Sequence, residues 1–175
     1  MLKQFYSFTS EIFNNGASYS FITRNNAEYS VYFTDVTKII DILDDFQVIS
    51  NAMYMTVEVA EIENEKTPFD SLIGITISAI IMDYYSYYGD NLIIVYNCDE
   101  RDGRQSLRFE KFNRWFNRYS KDSSLISYNK SIFVEEQRSI DDIAVYITFM
   151  FSKKNVQISN IWKELIKLEN TWTGK

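Results

Sequence analysis

The chain has 175 residues, 46% of them hydrophobic and 17% aromatic, enough apolar surface to fold as one domain without disulfide or metal support. It has no histidine and a single cysteine, Cys98, which excludes Ser-His-Asp and Cys-His catalysis, imidazole metal ligation, an internal disulfide and a tetrahedral zinc site. The net charge of −6 disfavours nucleic acid as a generic partner.

Phe5 to Thr9 reads as a short strand. Ser18 to Arg24 and Glu28 to Thr34 alternate apolar with polar, and Tyr29, Val31 and Phe33 share one face. Asn25-Asn26 between them is a tight-turn pair, because asparagine tolerates positive φ, so the two runs predict a hairpin. Val36 to Phe46 carries Ile39, Ile40, Leu43 and Phe46 at helical spacing, and Met53 to Ile62 returns to alternation. Thr67-Pro68-Phe69-Asp70 reads as a helix start, with Thr67 as N-cap, Pro68 at the first helical position and Asp70 in the first turn. That helix extends to about Tyr88 and is apolar almost all round, which predicts a central helix buried on most sides. Tyr84, Tyr85, Tyr87 and Tyr88 are expected as core and rim packing.

Gly89-Asp90-Asn91 closes the helix, and the continuous β-type run Leu92 to Tyr96 predicts an interior strand. A second helix covers Gly103 to Tyr119. Leu125 to Val134 and Ile143 to Phe151 read as two more strands. Val156 to Glu169 is an amphipathic helix with Ile158, Ile161, Trp162, Leu165 and Leu168 on one stripe. The order predicts a single α+β domain over residues 1–175, a mainly antiparallel sheet with helices packed on one face.

The densest chemistry lies between Tyr96 and Arg118. At about 100° per residue, Phe109, Phe112, Phe116 and Tyr119 form the core stripe of the second helix, and Gln105 falls on the same stripe, where it would need hydrogen-bond partners. The opposite side carries Arg104, Arg108, Lys111 and Arg118, with Trp115 among them. Arginines around a tryptophan suit an anion, a nucleotide or single-stranded RNA, since arginine gives bidentate donors to phosphate and tryptophan a stacking plane. The competing expectation is that Trp115 packs on another element while the arginines meet acidic residues. Residues 101–121 hold seven basic side chains against Asp102 and Glu110, whereas residues 35–70 hold nine acidic ones against Lys38 and Lys66. The two poles either face each other or are solvated. Asp99-Glu100-Arg101-Asp102-Gly103 precedes a helix N-terminus, a position that attracts anions. Asp102 there is either an N-cap completed by Gln105 in a capping box, or a Mg²⁺ ligand together with Asp99.

These residues also carry a resemblance. Tyr29-Ser30-Val31-Tyr32-Phe33-Thr34, Cys98-Asp99, Asp102-Gly103-Arg104-Gln105, Arg108 and Phe112-Asn113-Arg114-Trp115-Phe116-Asn117 resemble an uncharacterised bacterial family, domain of unknown function 6169 (DUF6169). The resemblance extends from the hairpin to Tyr119, is weaker in the C-terminal third, and implies no activity or cofactor.

Three functions fit: a non-catalytic binding or interaction module of accessory, antitoxin-like or host-conflict type, acting on a protein partner or by self-association; a binder of nucleotide or single-stranded RNA through Arg104, Arg108, Lys111 and Trp115; and a Mg²⁺-dependent nuclease or phosphotransfer enzyme using Asp99 and Asp102. The first is the leading expectation, with no cofactor beyond that candidate Mg²⁺. The start of the chain lacks a secretory h-region, and the longest apolar stretch, Leu72 to Met82, falls short of the roughly 20 residues of a membrane helix, so a cytoplasmic protein is expected.

Overall fold

The period-two alternation of the first sixty residues becomes an antiparallel meander. The computed structural model describes residues 4–36, 43, 45–60, 70–98, 103–119, 123–134 and 143–173. In chain order these give strands β1 (Phe8–Phe13), β2 (Gly16–Ile22), β3 (Glu28–Asp35) and β4 (Met53–Val59), helix α1 (Ser71–Tyr88), strand β5 (Ile93–Asn97), helix α2 (Gln105–Tyr119), strands β6 (Leu125–Val134) and β7 (Ile143–Ser152), and helix α3 (Ile158–Thr173). A 3-10 turn, Ile49–Asn51, precedes β4. The strands form one seven-stranded sheet in the order β1-β2-β3-β4-β5-β7-β6. All described pairings are antiparallel except β4 with β5. The fold is α+β. No helix among the described residues is long and apolar enough to cross a membrane.

The β2–β3 hairpin turns on Asn26, whose φ is 58°, and Asn26 N donates to Thr23 O at 2.9 Å. The short strand expected over Phe5 to Thr9 lies further along, at Phe8–Phe13, and pairs with β2 through its own two-residue turn. The helix expected within Val36 to Phe46 falls largely on residues outside those described.

The first helix starts later than the Thr67-Pro68 signal suggested. It begins at Ser71, and Asp70 is its N-cap, accepting from Leu72 N at 2.9 Å. Asp70 is 4% exposed, and its other partners are Tyr6 Oη at 2.5 Å and Arg24 Nη2 at 3.3 Å. A buried carboxylate with three donors is a stronger cap than a threonine hydroxyl. It also ties the N-terminal segment and the hairpin turn to the end of α1.

Two apolar clusters lie on opposite faces of the sheet. Tyr19, Phe21, Val31, Phe33, Met55, Ile94, Tyr96 and Met150 pack against α1, with Phe112, Trp115 and Phe116 of α2 beside them. Ile93, Val95, Ile147, Phe149 and Phe151 pack against Ile161, Leu165 and Leu168 of α3. The expectation of helices on one face therefore holds for α1 and α2, while α3 covers the other face. The reason is in β5 and β7, which are apolar at successive positions and need cover on both sides. Glu164 of α3 anchors that second layer, accepting Val48 N and Ile49 N at 2.9 Å each at the start of the 3-10 turn. Tyr84 and Tyr85 are buried while Tyr87 and Tyr88 are exposed, so the tyrosine cluster is core and rim as expected. Tyr84 stacks on Phe33 with ring centroids 3.9 Å apart.

Burial pushes the Asp70 carboxyl up, but the hydrogen bonds from Tyr6 and Leu72 N and the Arg24 charge outweigh it and hold the pKa below the ordinary carboxylate value. A depressed folded-state pKa stabilises the fold above the unfolded value of about 4, and that stability is lost as pH falls through the folded value. Asp70→Ala is expected to cost about 1–3 kcal/mol in urea unfolding at pH 7. The difference from wild type should shrink below about pH 4; a difference constant from pH 7 to pH 2 would contradict the role of the charged carboxylate.

Candidate functional site

Parallel pairing of β4 with β5 covers only Met53↔Ile94 and Tyr54↔Val95. Beyond these residues the strands separate, while β4 continues to pair with β3 as far as Val59 and β5 with β7 as far as Asn97. The parity of the backbone groups follows from two hydrogen bonds. Ala60 N donates to Glu28 O at 2.9 Å, so Thr56, Glu58 and Ala60 direct their N–H and C=O groups toward β3. Met55, Val57 and Val59 direct theirs the other way, toward β5. Cys98 N donates to Tyr146 O at 3.2 Å, so Tyr96 and Cys98 address β7 and Asn97 faces β4. Past Tyr54, therefore, two strand edges diverge with Val57, Val59 and Asn97 carrying backbone groups that no described ladder uses.

The gap is a cleft of about 710 Å³ lined by residues 54–59, by Tyr96, Asn97 and Cys98, and by Arg108 and Phe112 of α2. It opens at the carboxyl ends of two parallel strands joined by a helix, where ligand sites form in sheet-and-helix folds. Tyr54 Oη donates to Asn97 Oδ1 across the gap, on the α3 side. On the α1/α2 side, Phe112 packs on Tyr96 with ring centroids 5.3 Å apart. Glu58, from the acidic segment, and Arg108, from the basic helix, both line the cleft, from opposite faces of the sheet. Burial pushes the Cys98 thiol up to about 11, against the opposing pull of the Arg108 charge, so at neutral pH the group is a protonated thiol and a poor nucleophile.

The structure divides the residues singled out in the sequence. Arg108 is half-buried and lines the cleft. Arg104 is exposed just before α2. Trp115 is not a free stacking plane: its indole lies on Gly74 of α1, where an added Cβ would sit 2.4 Å from the ring. At 280° on a wheel starting from Gln105, Trp115 falls on the flank of the core stripe, and α1 covers that flank. The Lys111 ammonium lies 4.8 Å from the Trp115 ring centroid, and desolvation lowers its pKa. Gln105 is half-buried, and its Oε1 has no hydrogen-bond partner among the described residues. Asp99 and Asp102, with the capping box and the candidate Mg²⁺ site, lie outside the described residues. Among the described residues no group of three or more His, Cys, Asp or Glu could hold a metal ion.

Sequence reasoning missed the β4 wall of the cleft, Tyr54 to Val59, because an alternating strand gives no sign of where its second neighbour stops pairing. Asn97 was the available signal, an amide ending an otherwise apolar interior strand.

The fold is α+β, built around one parallel strand pair in an otherwise antiparallel sheet. The chain belongs to the family of unknown function DUF6169, whose model matches residues 69–167. The match covers α1 to β7 and most of α3, including the C-terminal third, and leaves the hairpin outside it. The β5 and α2 walls of the cleft lie within the matched span and the β4 wall lies before it. No curated protein and no solved structure matches the chain.

Gly74→Ala tests the contact that removes Trp115 from the surface. It should destabilise the protein by about 1–3 kcal/mol through overpacking. Trp115→Leu should recover part of that loss in the double variant, measured by urea unfolding; additive losses would contradict the contact.

Proposed function

We propose that this chain is a non-catalytic binding module and that the β4–β5 cleft is the seat of a protein partner. The observation that carries this reading is the cleft itself, where two strand edges, an arginine and three aromatic rings converge at the end of the parallel pair. Its volume is in the range of ligand-binding clefts. The nucleophile lining it, Cys98, is held as a thiol, and the chain has no imidazole to activate it. A buried free cysteine suits a reducing cytoplasm, where we place the protein. The nucleotide or single-stranded RNA reading loses support because Trp115 is engaged with Gly74, leaving α2 without the stacking plane that reading needs.

A photo-crosslinking residue in place of Glu58, on the cleft wall, is compared in cells with one in place of Val156. Val156 is 78% exposed, and its N–H bonds Asn91 before the amino end of β5, so it marks the opposite end of that strand. The proposal predicts a discrete protein adduct from position 58 and none from position 156. Identical adduct patterns at the two positions, or adducts at 156 alone, would contradict it.

A further inference from the structure

We infer that the partner is recognised as an extended peptide that adds to the open edge of β4 as a strand. This rests on the cleft being the binding site and specifies the chemistry of its occupant. Backbone groups are the first reason. Val57 and Val59 turn N–H and C=O into the cleft, in register with the extended backbone of β4 and with no ladder partner among the described residues. A small molecule has no use for donors and acceptors repeating along a strand, whereas an added strand satisfies each of them in turn. Asn97 offers a further N–H and C=O on the facing wall.

Side chains supply the second reason. The pleat sends Met55 and Val57 toward the α1/α2 face and Thr56 and Glu58 toward the opposite one. An added strand presents alternate side chains to the same two environments. On the α2 side, Phe112 beside Met55 and Tyr96 is an apolar seat at the closed end, and Arg108 beside Cys98 places a positive charge further toward the mouth. Helix α2 leads from Arg108 to Phe112 in one turn, about 6 Å, close to the spacing of side chains two apart on a strand. The fitting segment is about five residues long, with an apolar side chain and an acidic one two positions apart on the face toward α2, and polar or basic residues on the face toward Thr56 and Glu58.

The test uses the full chain as bait and a phage-displayed random peptide library as probe. Enriched peptides are resynthesised, titrated by fluorescence anisotropy, and followed by amide hydrogen exchange of the wild-type protein. The expected result is a consensus pairing an apolar residue with Asp or Glu two positions away. Bound peptide should slow exchange at Val57, Val59 and Asn97 by at least about tenfold and leave Thr56 and Glu58 unchanged, because those amides already serve β3. Val57→Pro removes a donor that the β3 ladder does not use, and should weaken peptide binding about tenfold or more at unchanged melting temperature. Should that variant unfold, the exchange measurement on the wild type decides alone. A library that yields no consensus, peptides that bind without protecting Val57 and Val59, or a twelve-residue oligouridine that displaces the peptide without that protection would each overturn the strand-addition inference. The outcomes separate from the broader reading: protein adducts at position 58 with no protected amides would leave the cleft as a binding site and remove only the strand.

Discussion

Parallel pairing between Met53-Tyr54 and Ile94-Val95 is the seam on which the whole sheet depends. On one side lie β1 to β4, an antiparallel meander; on the other lie β5, β7 and β6, also antiparallel. Within each half the ladders are long, up to the ten paired residues of β6 with β7. Across the seam the ladder is short, so side-chain contacts must hold the halves together. Helix α1 does much of this. Its Asp83 accepts from Tyr19 of β2, Tyr84 stacks on Phe33 of β3, and Tyr85 Oη donates to Met150 O of β7 at 2.7 Å. Aromatic side chains can span such a joint because each buries a large area while its hydroxyl reaches a polar partner.

The same seam creates the site. Two parallel strands that stop pairing before they end leave unmatched backbone groups, which are costly in an apolar interior and tolerable in an open cleft. Tyr54 and Asn97 close the α3 side of the gap with a side-chain hydrogen bond, while α2 lines the other with Phe112 and Arg108. Trp115 fixes the position of that helix by lying on Gly74, where the missing side chain lets the indole approach the α1 backbone. The tryptophan that looks like a binding residue by composition therefore acts through packing, and it is the flank of α2 turned toward the strands that lines the cleft.

Much of the fold was legible because its signals are local. Asn26 at positive φ, the glycine closing α1 and the stripe Ile161, Leu165 and Leu168 on α3 each follow from a few neighbouring residues. Placement of α3 depends on the two-sided character of β5 and β7, which was visible in their apolar runs but does not by itself say which helix covers which face. The start of α1 was misplaced because Thr67-Pro68 is a strong local pattern, whereas Asp70 gains its strength from Tyr6 and Arg24, more than forty residues away in sequence. The candidate site was half legible. Arg108 stood out by charge, but Met55, Val57 and Val59 contribute through backbone groups, and no residue type reports whether its amide is paired.

The most direct measurement is of through-hydrogen-bond scalar couplings in the free protein by NMR. The ladder that runs from Met53 C=O to Val95 N–H would next join Met55 C=O to Asn97 N–H. The structure predicts a coupling for the first pair and none for the second, with rapid solvent exchange at Val57 and Val59. A coupling between Met55 C=O and Asn97 N–H would show the strands zipped past Tyr54, and the cleft with its proposed peptide site would not exist.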